Sequence, residues 1–196
     1  MRILFFDTET TGLPKKFNAP TSDTDNWPRL VQLAYIVQDE NGRTLHSSSE
    51  IICPEGFVIP KEASAVHGIT TADAVMYGRA LEPTLAEFLS HAKEADVIIG
   101  HNIDFDMHII GAECYRVFGS NPLEGKYTMD TMKESTAYCN LPPKPGKNTP
   151  KWPRLQELHH ILFGKDFDSA HNAKADIEAT ARCYWELCRI GVMVKP

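Results

Sequence analysis

No Cys-x-x-Cys pair occurs in this chain, and its five cysteines, at positions 53, 114, 139, 183 and 188, are odd in number. That excludes a disulfide framework and a zinc ribbon, and it makes free thiols in a reducing compartment the expectation. No stretch approaches the ~18 apolar residues of a membrane span. The apolar run near the start, Ile3 to Phe6, is too short for the core of a signal peptide. A cytoplasmic chain with no membrane partner is therefore expected. Positive charge is also scarce: 20 Lys and Arg against 26 Asp and Glu leave a net charge of −6. This excludes a coat protein held on nucleic acid by bulk positive charge, but not an enzyme that gathers acidic residues around cations. There is no internal repeat. A length of 196 residues with 42% hydrophobic and 23% charged fits a single globular domain over 1–196.

What is present has a clear order. Ile3 to Phe6 reads as a strand buried on both faces, ending in a turn-like Thr-Glu-Thr-Thr-Gly. Leu30 to Gln38 and Thr44 to Ile52 are two more strands, and Asn41-Gly42 between them is a hairpin signal. The period then changes. Pro83 to Ala95 is a helix with an apolar stripe, Val97 to Gly100 a short buried strand, and Asp106 to Phe118 a second helix. Tyr127 to Met129 is a short strand and Leu155 to Phe163 a helix stopped by Gly164. A last helix runs from about Ala173 to Ile190, its stripe made by Ile177, Ala181, Tyr184 and Cys188. Strands first, then alternating helix and strand, predict an α/β layer fold with a mixed sheet. Leu141 to Trp152 stands apart. It holds four prolines, one glycine and three lysines, with no acid. It is a loop of charge opposite to the whole, either a plain solvated connector or a functional one.

Carboxylates gather at the ends of these elements. Asp7 and Glu9, two residues apart on a strand, share one face. Such a pair repels unless a cation lies between its members, and hard divalent cations take oxygen ligands of this kind. The alternative is a polar strand end entering a turn. His101-Asn102-Ile103-Asp104-Phe105-Asp106 follows a buried strand and precedes a helix, where ligands collect in α/β sheets. An Asp there also serves as an ordinary helix N-cap. His171 and Asp176 are five residues apart. Within one helix they would diverge by ~140°. They reach one point only if His171 lies in the loop before the helix.

Taken in order, Asp-x-Glu, His-Asn-x-x-Phe-Asp and His-x4-Asp resemble the DEDDh, or DnaQ-like, 3′→5′ exonucleases, typified by the proofreading subunit of bacterial DNA polymerase. Thr11-Gly12-Leu13-Pro14 and Val66-His67-Gly68-Ile69-Thr70 extend the resemblance over nearly the whole chain. The Pro/Lys-rich loop departs from it. The resemblance implies a ribonuclease H-like mixed sheet flanked by helices. It implies that Asp7, Glu9, Asp106 and Asp176 hold two Mg²⁺ or Mn²⁺ ions, with Asp7 shared between them, and that His171 is the general base. Asp104, off the motif, is left to cap the helix. The terminal nucleotide is expected at Thr10, Leu13, His67, His101 and Asn102, with Leu13 either a wedge or core. Lys144, Lys147 and Lys151 are candidate phosphate contacts. Trp152 is a candidate stacking ring or a ring pinned on its own loop. The implied partners are single-stranded DNA or RNA 3′ ends and a DNA polymerase. The implied activity is release of nucleoside 5′-monophosphates from DNA. The alternatives are an RNA-trimming, oligoribonuclease-like enzyme and a non-catalytic nucleic-acid or polymerase-binding module. A zinc hydrolase on His159 and His160 fails, because adjacent helical residues point ~100° apart.

Overall fold

β1 (Arg2–Thr10), β2 (Leu30–Asp39) and β3 (Thr44–Ile51) form the antiparallel half of one sheet. The computed structural model describes residues 1–167 and 172–196. The β2–β3 connection turns through Asn41-Gly42, with Gly42 in the left-handed region at φ 80°. The Asp39 carboxylate accepts from the Asn41 and Arg43 N–H groups at 2.9 Å each, which fixes that turn. β4 (Val97–Gly100) and β5 (Thr128–Asp130) add in parallel on the other side of β1, giving the strand order β3-β2-β1-β4-β5. The expected ribonuclease H-like mixed sheet is the observed one.

Period two along β1 sorts its side chains onto two helical layers. Ile3 and Phe5 face one layer, where α6 (Leu155–Phe163) and α7 (Ala173–Arg189) supply Leu158, Tyr184 and Leu187. The Phe5 and Tyr184 rings meet edge to face at 5.4 Å. Leu4 and Phe6 face the other layer, built from α3 (Leu81–Glu94) and α4 (Ile103–Phe118). Three helices were not legible: α1 (Lys61–His67), α2 (Thr71–Tyr77) and α5 (Thr131–Cys139). The first two bury one alanine each, Ala63 and Ala74, so they have no apolar stripe to read. α4 also begins three residues before the expected Asp106, and β5 lies one residue later than the Tyr127 to Met129 expectation. No helix among the described residues is long and apolar enough to cross a membrane.

The strands are unequal, and this makes the site. β4 pairs with β1 only along Ile3 to Phe5, while β1 runs on to Thr10 beside β2. Beyond Gly100 the chain turns straight into α4. A Cβ at Gly100 would lie 2.6 Å from Cδ1 and 3.2 Å from Cβ of Ile103, so this position favours glycine where the helix folds back. Asn102 takes the left-handed conformation at φ 70° and starts the helix, with its N–H donating to Asp130 Oδ1 at 2.9 Å. The result is a crevice between the overhang of β1 and the start of α4.

The loop between β1 and β2 is tied down by one buried acid. Glu113 of α4 is fully buried, and its Oε1 accepts from Arg29 Nε and the Leu30 N–H, each at 2.9 Å. The Arg116 guanidinium lies 3.0 Å from the same oxygen and donates to the Trp27 carbonyl at 2.7 Å. Glu113→Ala should therefore cost about 3–5 kcal/mol, because it strands two arginines, whereas Glu113→Gln keeps an acceptor for Leu30 and should cost less. Urea denaturation of the two variants checks the order. Equal midpoints for Glu113→Ala and the native chain would refute the clamp.

Candidate active site

Asp7 and Glu9 project from the β1 overhang on its α7 side, and Asp176 reaches them from the first turn of α7. Carboxylate oxygens of these three residues lie within 4.8 Å of one another. Asp106 comes from the opposite layer, in the first turn of α4, and is buried. Its Oδ1 accepts from Thr8 N–H at 3.0 Å and Thr8 Oγ1–H at 2.6 Å. That N–H lies where β1 has no β4 partner, so the carboxylate stands in for a missing sheet acceptor.

Burial and mutual repulsion dominate the electrostatics. Loss of hydration raises the Asp7 carboxyl well above its ordinary range, and the charges of Asp106, Asp176 and Glu9 raise it further. Glu9 is pushed up to about 8, by burial first and then by Asp176 and Asp106. Asp106 is pushed up to about 7 by burial, against the two hydrogen bonds from Thr8 that favour its charged form. An all-oxygen, partly buried and self-repelling donor set suits a hard divalent cation. Asp7, Glu9 and Asp176 are the residues that fit one.

A cavity of about 630 Å³ is lined by Asp7 and Asp176 together with Asn102, Lys144, Trp152 and Arg154. The Pro/Lys-rich loop thus forms a wall of the site. Of its three lysines, Lys144 and Lys151 line the cavity, and Lys147 does not. Lys151 departs from the expectation of a phosphate contact, since its ammonium pairs with Glu157 at 2.5 Å. His101 lines the cavity, but both of its ring nitrogens are engaged: Nδ1 lies 3.0 Å from Thr131 Oγ1 and Nε2 3.0 Å from the Pro153 carbonyl. It is an anchor for the loop rather than a free substrate ligand. Burial lowers its pKa.

Thr10 is buried, and its hydroxyl donates to the Gly12 carbonyl at 2.7 Å, shaping the turn that presents Leu13. Leu13 is 75% exposed, which removes the core alternative. His67 Nδ1 accepts from the Ile69 N–H at 3.1 Å, so the neutral ring carries its proton on Nε2. The ring lies beside the Thr10 backbone, and burial lowers its pKa. Asp104 does not cap α4: Asn102 holds that position, and Asp104 pairs with Lys133 at 2.5 Å on the exposed side of the helix. His171 lies outside the described residues.

Two residues near the site escaped sequence reasoning. Thr8 is the unspecified residue of the Asp-x-Glu pattern, and nothing in the sequence marks it. Asp130 ends β5, caps α5 through Met132 N–H and holds Asn102 in place, and its charge adds to the repulsion on Asp106. The signal for it was available: an Asp at the end of a short strand with a helix directly after.

The raised carboxyl groups set a pH dependence. A folded-state pKa above the unfolded value means that the folded chain binds more protons between the two. For Glu9 that window runs from 4.5 to about 8. Stability then falls as pH rises through it. Metal-free protein should melt lower at pH 8 than at pH 5, Glu9→Gln should flatten the trend, and Mn²⁺ should raise the midpoint most at pH 8. Thermal melts in EDTA and in Mn²⁺ check this, and a metal-free midpoint that rises with pH would contradict it.

The comparisons with known proteins agree with this geometry. A model of the RNase T exonuclease family, described as an exonuclease, matches residues 4–184. No curated protein matches by sequence. Among solved structures, Escherichia coli exonuclease I bound to a dA16 oligonucleotide is similar over 96% of this chain and 41% of that one, with 21% identity and a TM-score of 0.73. The zinc-bound form of the E. coli exonuclease I complex with single-stranded DNA is similar over 96% and 40%, with 23% identity and a TM-score of 0.75. The chain spans about two-fifths of the length of these structures, and the likeness shows a shared fold. With the family model covering nearly the whole sequence, this chain belongs to the RNase T exonuclease family.

Proposed function

We propose that the chain is a metal-dependent 3′→5′ exonuclease that acts on single-stranded or frayed DNA ends and releases nucleoside 5′-monophosphates. The observation that carries this reading is the convergence of Asp7, Glu9 and Asp176 within 4.8 Å, with Asp106 held beside them by Thr8. Asp7, Glu9 and Asp176 would hold one Mg²⁺ or Mn²⁺, and Asp7 with Asp106 a second. Two such ions, when bound, supply an activated water and offset charge on the attacked phosphate and the leaving oxygen.

The remaining work falls to the chain itself. His171, from its place five residues before Asp176, takes the proton of the attacking water. An imidazole with an unperturbed pKa of ~6.5 suits that near neutral pH. Thr8 keeps Asp106 aimed into the crevice. Leu13 wedges against the terminal bases, which its exposure supports, while Thr10 and His67 flank the last nucleotide. Asn102 and Lys144 guide the strand along the cavity.

Incubation with Mg²⁺ and matched 5′-labelled DNA and RNA oligonucleotides, single- and double-stranded, tests the reading. A ladder shortening from the 3′ end of single-stranded DNA is expected, and EDTA should abolish it. Faster RNA trimming would favour an oligoribonuclease-like enzyme, and binding without hydrolysis would favour a non-catalytic module. His171→Ala should lose about 10²–10⁴-fold in turnover while still binding oligonucleotide. Near-native turnover would make His171 structural. Asp106→Asn should abolish hydrolysis without loss of stability, whereas Asp104→Asn should keep most activity because its partner is Lys133 on the outer face. Reversed effects would overturn the assignment.

A further inference from the structure

Trp152 is 58% exposed, an unusual state for the residue type with the most apolar surface to hide. Its backbone is fixed nonetheless. On one side, Lys151 N–H donates to the Leu141 carbonyl at 3.2 Å, and the Lys151 ammonium is held by Glu157. On the other, Pro153 is buried and its carbonyl lies 3.0 Å from His101 Nε2. Glu157 closes the arrangement by accepting from the Arg154 N–H at 2.8 Å. The loop therefore presents its indole to the cavity from a pinned base, rather than folding it onto its own core.

The same cavity is lined by Asp7 and Asp176 and by Lys144 and Arg154. An aromatic ring and two cations that line one cavity with the proposed hydrolytic centre match what single strands require: stacking for a base and positive charge for the backbone. We propose that Trp152 is a stacking platform for one unpaired base of the strand entering the site, with Lys144 and Arg154 on the flanking phosphates. This rests on the nuclease reading of the acidic cluster and goes beyond it, because it defines the substrate as an unpaired strand. A base within a duplex keeps both faces stacked on its neighbours and gains nothing from the ring. Stacking engages the base and not the 2′ position, so Trp152 acts alike on DNA and RNA.

Fluorescence anisotropy of labelled dT and rU decamers, with Ca²⁺ in place of Mg²⁺, provides the test. Trp152→Ala should weaken binding of both decamers about 5- to 100-fold, the range that base–aromatic stacking supplies, and Trp152→Phe should restore most of it. Decamers with an abasic site moved through each position should contain one position at which the native chain drops to the Trp152→Ala affinity and the variant loses nothing more. Native-like binding by Trp152→Ala would overturn the proposal. So would an equal loss from every abasic decamer, which would mark a merely structural role. Hydrolysis of a p-nitrophenyl ester of thymidine 5′-monophosphate in Mg²⁺ has no upstream base and reports the acidic cluster alone. If the native chain leaves it intact, the nuclease reading fails, while the binding result still decides the role of the ring.

Discussion

β1 outruns β4, and the site follows from that mismatch. A central strand normally has its backbone groups taken on both sides. Here the pairing with β4 covers Ile3 to Phe5, and among the described residues the strand continues to Thr10 with β2 as its one neighbouring strand. An unpaired N–H in that position is costly unless something accepts from it. The Asp106 carboxylate does so at Thr8, which brings an acid from the α3–α4 layer across the sheet edge to the two acids that face α7. One short strand thus both opens the crevice and dictates where the fourth carboxylate sits. Gly100 lets the chain fold back tightly enough for this, since Ile103 occupies the space of its missing side chain.

Much of this was legible in the sequence wherever burial imposes a period. The antiparallel half was readable because the buried stretches of β1 and β2 are bracketed by Thr-Gly and Asn-Gly turns. α6 was readable to the residue because its apolar face ends at Gly164, which takes the left-handed cap. α1 and α2 were not, since single buried alanines leave no pattern. Asp106 could be chosen over Asp104 because the family pattern His-Asn-x-x-Phe-Asp, which the chain resembles, places its acid directly after Phe105, while ~200° of helix keeps the two acids from sharing one site. That Asn102 rather than Asp104 starts the helix was hidden, because it depends on a left-handed residue held by Asp130 from another strand.

The basic loop shows where composition misleads. Three lysines and no acid between Leu141 and Trp152 suggested a uniformly positive arm. Fold geometry divides it. Lys151 is neutralised by Glu157, an acid that lies outside the loop in sequence and beside it in space. Lys147 lies away from the cavity lining, and Lys144 remains on it. The loop's position comes from the His101 ring bridging Thr131 and Pro153 together with the Glu157 carboxylate, which holds Lys151 and the Arg154 N–H. Charge counted along a segment says little until its partners across the fold are known.

Magnitudes decide what the acidic cluster requires. Two unit charges separated by 4.8 Å repel by roughly 3–4 kcal/mol at an effective dielectric of about 20, so three mutually close carboxylates face a penalty on the order of 10 kcal/mol if all are ionised. Asp106 and Asp176 lie in the first turns of α4 and α7, where the helix N-terminus favours negative charge. Each terminus offsets at most about 2 kcal/mol. The Thr8 hydrogen bonds help Asp106, but its pKa still rises to about 7. Without further positive charge the cluster answers its burial and repulsion by taking up protons, and Glu9 is pushed up to about 8 by burial first and by Asp176 and Asp106 next. Two lysines of the surrounding elements are engaged elsewhere, Lys133 with Asp104 and Lys151 with Glu157. A divalent cation among the oxygens would let Asp7, Glu9 and Asp176 be ionised together at neutral pH, and it is the kind of ion that the proposed chemistry uses.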